Sequence, residues 1–520
     1  MNPTAVQGRF SPLYLAIVTA VTIIPVSMGL MDVTITNVAF GIVAGALNVS
    51  IDEIAGISTA YALAMLIAMP LAGWLSTNLT RKASFLGAIA LFTLASIGCA
   101  FSHSIEQLIV ARFVQGLGAG VMQTLSAAAL LDVYPKEQHA KAFQIWGIGV
   151  MVGPFLGPIL GGWLLSNFPW QSVFLINVPF GILSVVLGVL FLPQQSERGE
   201  RSAFSWTSLA FMFVGLAALL YVLQEGAHQD WFSSGTIVTA SIVGVVMLSI
   251  FVSMQFAMRS PLVNLRPLRI PSYSIGLILA IVSGVGVTGS AFVMPLFYQN
   301  VLGFDIALTG FGMLPSAIGV IVGIQLAGTA WARRIPPAIL TAVSLLLLAV
   351  GSVWFALMGG NATFEQTLLP RGLQGLGSGL FYVPLNVLLI RDVPTSETDA
   401  AVGLSGVCRQ LGISIGYAGI SAILAKTQAA ALIEYGNRVR GVGLTANLRL
   451  SPIRDWLSAH GWSAADASAY ALPVFQQFVA RSALTAAYDQ TLFWLAGFFV
   501  FSILATVLLW RRVSPRKILS

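Results

Sequence analysis

Four charged side chains stand inside long apolar runs of this 520-residue chain: Asp32, Arg112, Arg371 and Arg409. A charge in a bilayer core costs several kcal/mol, roughly 2.5–3.5 on insertion scales, unless it is paired or hydrated, so each is a candidate for function. Asp32 lies about six residues from the outer end of its run, and Arg112 about seven from the outer start of its own. At 1.5 Å per residue both sit about 10 Å below the same membrane surface, within reach of each other. An aspartate that alternates between an arginine partner and apolar isolation changes its affinity for a proton. The expectation is therefore that Asp32 takes protons from outside while Arg112 stabilises its ionised form. The plainer alternative is that Arg112 caps backbone carbonyls and Asp32 pins the end of its helix. Arg371 has no such acid in the run that would face it, and Glu365 is its nearest candidate partner. Arg409 lies near the cytoplasmic end of its run, where a long side chain snorkels.

A second feature is Gly149–Gly162, which reads G-V-M-V-G-P-F-L-G-P-I-L-G-G. Gly149, Gly153, Gly157 and Gly161 recur every fourth residue, so on a helix they form one row along which another backbone approaches closely. Pro154 and Pro158 remove two amide donors inside an apolar span, which lipid tolerates only where neighbouring groups compensate. Gly162 completes the motif.

The elements that position these residues follow from composition. The chain is 57% hydrophobic and 9% charged, against about 25% charged for ordinary globular domains, which identifies an all-α polytopic membrane protein. Two cysteines, Cys99 and Cys408, make no disulfide framework. Apolar windows predict fourteen helices, near 13–38, 54–76, 83–101, 105–131, 142–165, 171–193, 206–224, 234–257, 273–297, 306–331, 337–358, 365–390, 402–425 and 491–511. With these limits Arg9, Arg81, Lys82, Lys136, Lys141, Arg198, Arg201, Arg259, Arg266, Arg269, Arg333, Arg334, Arg391 and the basic tail share one side. By the positive-inside rule that side is cytoplasmic and holds both termini. The same asymmetry accounts for the net charge of +7 without nucleic-acid binding. The long outer segment 427–490 escapes the charge rule. It contains helix-start signals at Ser451-Pro452 and Ser463-Ala-Ala-Asp466, so an ordered extracytoplasmic cap is expected there.

An internal repeat sets the architecture. Arg112-Phe-Val-Gln-Gly-Leu-Gly-Ala-Gly120 returns as Arg371-Gly-Leu-Gln-Gly-Leu-Gly-Ser-Gly379, and the basic turn after Gly73 (Arg81, Lys82) has a counterpart after Gly328. Spans one to six correspond to nine to fourteen in parallel orientation, with spans seven and eight left between them. The expected divisions are a cytoplasmic N-terminus over 1–12 and an N-terminal six-helix bundle over 13–193. A central inserted helix pair follows over 194–272, then a C-terminal six-helix bundle over 273–511 and a cytoplasmic tail over 512–520.

The glycine-proline row resembles the antiporter motif of the major facilitator superfamily, found on the fifth span of its exporters. The arginine-led repeat, Leu30-Met-Asp-Val-Thr-Ile-Thr-Asn-Val-Ala39, Trp170–Gly181, Leu223–Gly226 with Asp230–Phe232, and Arg409–Gly416 resemble its fourteen-span drug:proton antiporter family over nearly the whole chain. The long segment before the last span is similar to the EmrB-type subgroup. The resemblance implies a major facilitator fold of two six-helix bundles plus two inserted central helices, fourteen in all. It also implies proton-coupled efflux of small amphipathic or lipophilic compounds by alternating access. Small-molecule substrate, protons and membrane lipids are the implied partners, with a periplasmic adaptor and an outer-membrane channel as possible further ones. A dedicated metabolite exporter of the same fold is the alternative, with a membrane sensor or a polytopic enzyme behind it.

The family's cytoplasmic motif after span two departs here. Gly73-Trp-Leu-Ser-Thr-Asn-Leu-Thr-Arg-Lys82 carries Thr77 at the usual acidic position, so any conformational gate at Gly73, Arg81 and Lys82 is locked in another way. By type and span, Tyr61, Met65, Met122, Gln123, Gln144, Trp146, Phe297, Tyr298, Gln299, Phe381, Tyr382 and Asn386 are the candidates for a substrate cavity, since adaptable Met and aromatic surfaces suit a promiscuous binder. Gly284-Val-Gly-Val-Thr-Gly289 fits a dinucleotide pattern but lies within an apolar span without strand-turn-helix context. No phosphate-binding lysine loop occurs, and His103, His139, His228 and His460 have no metal-ligand spacing. Neither cofactor nor metal is expected.

Overall fold

The computed structural model describes residues 11–135, 138–194, 204–226, 229–258, 261–329, 335–394, 397–440 and 443–513. Most of the expected N-terminal segment and tail therefore falls outside the described residues, as do Arg9, Lys136, Arg198, Arg201, Arg259, Arg333, Arg334 and His228.

Among the described residues every regular element is a helix. The first half comprises α1 (Pro12–Leu47), α2 (Ile51–Asn78), α3 (Arg81–Ala100), α4 (Ile105–Val133), α5 (His139–Asn167), the short α6 (Ser172–Leu175) and α7 (Asn177–Phe191). The inserted pair is α8 (Trp206–Glu225) and α9 (Gly235–Ala257). The second half comprises α10 (Pro271–Asn300), α11 (Ile306–Ala327), α12 (Pro337–Met358), α13 (Phe364–Ile390), α14 (Thr398–Arg440), α15 (Gly443–Ala459) and α16 (Ala464–Val513). Starts are fixed by the local chemistry expected at helix N-termini. Ser50 and Glu53 form a capping box before α2, and Thr363 with Gln366 forms another before α13. Ser104 and Asp305 cap α4 and α11 by accepting amide hydrogen bonds.

Thirteen helices among the described residues are long and apolar enough to cross a membrane, α6 and α7 together counting as one. The remaining expected span, 142–165, lies within the 29-residue α5. Two expectations change in detail. The span over 171–193 is interrupted at Ile176, between α6 and α7. The outer segment is helical for most of its described length: α14 runs on to Arg440 without a break, and α16 begins at Ala464. Pro452 stands inside α15 rather than at its start. Ser463 does cap α16, accepting from the Asp466 amide at 3.1 Å and donating to its carboxylate at 2.6 Å.

The internal repeat appears as matched packing. Gly116 and Gly120 of α4 lie against the α2 backbone at Tyr61 and Met65, and Gly375 and Gly379 of α13 lie against α11 at Ser316 and Val320. The inserted pair adds Met212, Leu216, Leu220 and Phe251 to the core of the first half. Phe297, Tyr298, Phe355, Tyr488 and Phe499 centre the core of the second. A separate cluster including Ala127, Trp146, Val320, Ile324 and Tyr382 joins the two halves.

Candidate functional site: an ion pair behind a central cavity

Asp32 and Arg112 meet. The Arg112 Nη1 donates to Asp32 Oδ2 in an ion pair whose side chains are both fully buried. The carboxylate also accepts from Asn177 Nδ2 at 2.7 Å and from Gln115 Nε2 at 3.1 Å, both to Oδ1. Gln115 bridges the cluster: its Oε1 accepts from Arg112 Nη1 at 2.6 Å, and its Nε2 donates to Ser96 Oγ at 2.7 Å. Tyr61 lies under the guanidinium, 4.3 Å from ring centroid to Cζ, and Phe174 is 5.7 Å away. The Tyr61 hydroxyl donates to the Gly29 carbonyl at 3.0 Å. Taking two charges out of water costs several kcal/mol per ion; the carboxylate is compensated by three donors, whereas Arg112 Nε and Nη2 have no hydrogen-bond partner.

Four helices supply this cluster: α1 gives Asp32, α3 Ser96, α4 Arg112 and Gln115, and α7 Asn177. Sequence reasoning found the two charges and missed the neutral members. Their signals were present, because Gln115 recurs as Gln374 in the arginine-led repeat and Asn177 lies in the quoted Trp170–Gly181 stretch.

The glycine row of α5 holds α1 from another side. A side chain at Gly153 would run into the Ser27 carbonyl, and one at Gly157 into Thr34 and the Met31 carbonyl. Ser27 Oγ donates to the Gly149 carbonyl at 2.5 Å. Gly161 faces Ile35 and Val38 of the same helix, whereas Gly162 meets nothing within 4 Å. Pro154 reaches the central cavity, and the side chain of Pro158 lies outside the described residues.

Between the halves is a cavity of about 900 Å³. Gln123, Trp146, Gln299, Phe381, Tyr382 and Asn386 line it, together with Leu30, Thr34, Asn37 and Val38 from α1. The other candidates lie elsewhere. Tyr61, Met65, Met122, Phe297 and Tyr298 are buried in the interior of their own halves. Gln144 bonds across the halves, its Nε2 donating to Gln325 Oε1 at 2.5 Å. Asp32 is absent from the lining. Thus α1 presents one face to the cavity and another to the ion pair.

The named contacts between halves lie toward the end that carries the termini. A Cβ added at Gly73 of α2 would stand 3.4 Å from the Ala400 backbone of α14, and Gly403 packs on the Met69 carbonyl. Trp146 stacks on Tyr382 with centroids 6.1 Å apart. At the opposite end the cavity is bounded by Asn37, Phe40, Gln299 and Gly310. The other two gate candidates act within the first half: Arg81 pairs with Asp132, and Lys82 Nζ donates to the Val189 and Leu192 carbonyls at 2.8 and 2.7 Å.

The second half repeats the ladder without its acid. Arg371 Nη1 donates to Gln374 Oε1 at 2.8 Å, and Gln374 Nε2 donates to Ser352 Oγ at 3.2 Å. The facing helix α10 contains no Asp or Glu, and no ion pair joins Arg371 to Glu365 among the described residues. Arg409 Nη2 donates to Asn386 Oδ1 at 3.2 Å, with its Cζ 5.5 Å from the Tyr382 ring centroid.

A repeated helical architecture enclosing one central cavity narrows the comparison, and the profile of the Major Facilitator Superfamily matches residues 24–417. The chain belongs to the major facilitator superfamily. Within that superfamily it is 30% identical over 404 residues to the fatty acid resistance protein FarB of Neisseria gonorrhoeae, covering 78% of this chain and 80% of that protein. It is also 30% identical over 403 residues to the multidrug export protein EmrB of Escherichia coli strain K12, covering 77% and 78%. Among solved structures, the proton:xylose symporter XylE superposes with a TM-score of 0.62 at 13% identity over 97% of both chains, which is a likeness of fold. As a superfamily member the chain is a multi-pass membrane transporter.

Proposed function

We propose that this chain is a proton-coupled antiporter that exports small amphipathic compounds across the inner membrane by alternating access. The observation that carries the reading is the double role of α1. One of its faces lines the cavity at Leu30 and Thr34, and the other holds Asp32 against Arg112, Gln115 and Asn177. Protonation of Asp32 removes the charge that holds Arg112, so α1 and α4 are free to shift. Movement of α1 in turn reshapes the cavity wall. Export, rather than uptake, is supported by the glycine-proline row that clamps α1 and by relatives named for resistance and multidrug export.

With the termini cytoplasmic, as the distribution of Lys and Arg implies, the contacts at Gly73, Gln144 and Trp146 close the inner end, and the cavity faces outward. The helices α15 and the first turns of α16 then lie outside the membrane. Arg481 ties this region to the transporter by donating to the Val301 and Gly360 carbonyls at 3.2 and 3.4 Å. This helical extension is the surface a periplasmic adaptor, leading to an outer-membrane channel, would meet.

The test is transport in proteoliposomes under an imposed pH gradient, with an amphipathic cation, a carboxylate and a neutral compound as probes. Antiport predicts that at least one probe moves against its gradient only while protons flow the other way. Movement insensitive to the gradient, or in the same direction as protons, contradicts it.

A further inference from the structure

Among the described residues, the charged side chains lining the central cavity are Arg371 and Arg409, with no Asp, Glu, Lys or His beside them. Arg371 is 3% exposed, donates from Nη1 to the neutral Gln374, and has an Nε with no hydrogen-bond partner. Its equivalent, Arg112, spends its charge on Asp32. A buried guanidinium without a counter-charge is costly, and a fork of five donors matches a carboxylate in geometry as well as sign. Ser290 and Thr309, also in the lining, have buried hydroxyls without partners. The rest of the wall is mainly apolar and aromatic.

We propose that this cavity selects amphipathic organic anions, the carboxylate of the substrate supplying at Arg371 the counter-charge that Asp32 supplies at Arg112. Arg409 is the second cationic station. Its partner Asn386 stands fifteen residues along α13 from Arg371, about 22 Å at 1.5 Å per residue, so the two guanidinia serve different depths of one path. An anion entering from the end that carries the termini meets Arg409 first and Arg371 deeper in. Lipophilic cations meet no counter-charge among the described lining residues. The inference rests on the exporter reading for its direction but concerns the charge of the ligand alone.

Three naphthalene probes of different head-group charge separate the cases: 2-naphthoate, its isosteric neutral amide 2-naphthamide, and the 2-naphthyltrimethylammonium cation, with equilibrium binding measured on the purified full chain. The expected result is that naphthoate binds at least tenfold more tightly than the other two. Arg371→Gln should lower naphthoate affinity at least tenfold while leaving the amide unchanged, and Arg371→Lys should retain part of it. Equal or tighter binding of the amide or the cation to the wild-type chain, which needs no variant to fold, overturns the proposal. So does an absence of saturable naphthoate binding, an unchanged Arg371→Gln affinity, or full displacement by millimolar chloride, which would mark a site for inorganic anions. Proton-driven transport of the cation alone would sink this inference and keep the exporter reading. Naphthoate binding that depends on Arg371, without any proton-driven transport, would do the reverse.

Discussion

Arg112 is the residue on which most of the buried polar chemistry of the first half converges. Removing one member of a buried pair strands the other charge, typically at a cost of about 3–5 kcal/mol. Arg112→Gln should therefore lower the thermal midpoint of the purified protein sharply, and Asp32→Asn in the same chain should restore much of it. Strictly additive losses in this double-mutant cycle would show that the two side chains do not act as a unit. The two charges were legible in the sequence because ionisable residues are rare in apolar spans. Gln115, Asn177 and Ser96 were not, since neutral polar side chains are frequent in membrane helices and become informative only once a charged partner is placed beside them. Tyr61 and Met122 show the opposite difficulty. Their types suit a ligand cavity, yet Tyr61 lies beneath Arg112 and Met122 packs against the Gly29 position. Residue type does not report which face of a helix looks at the cavity.

At the scale of elements, α5 and α1 form the joint that matters. The every-fourth-residue spacing of Gly149, Gly153, Gly157 and Gly161 predicted a groove, and the groove is filled by α1 from Ile23 to Val38. What the spacing did not contain is the identity of that neighbour, which depends on tertiary arrangement. Gly153→Val places a branched side chain against the Ser27 carbonyl, an overpacking that typically costs about 1–3 kcal/mol. The variant should retain ligand binding measured in detergent but lose most of its transport rate; wild-type transport would mean that close α1–α5 contact is dispensable. The helical continuation of α14 and the early start of α16 were less legible. Hydropathy reports apolar runs, whereas helix also continues through 427–440 and 464–490, where charged and polar side chains interrupt the apolar pattern. Pro452 misled as a start signal, because the helix that contains it already begins at Gly443.

Across the whole molecule, the repeat predicted two matched halves, and the matched glycine contacts of α4 on α2 and α13 on α11 follow it. The state of the cavity was not written in the repeat, because alternating conformations share one sequence. We propose that the close approach of Gly73 to Ala400 takes the place of an acidic lock. Cysteines at these two positions, in a chain freed of Cys99 and Cys408, should cross-link readily and stop transport, with activity returning on reduction. A cross-linked chain that still transports would show that this contact does not have to open.

The proposed role of Asp32, to carry the proton exchanged for substrate, is open to a measurement of proton release. Purified protein in weak buffer, mixed with a transported substrate, should release protons in the wild type. Asp32→Asn should bind the same substrate without any release. Undiminished proton release from Asp32→Asn would rule out this role and place the coupling group elsewhere in the chain.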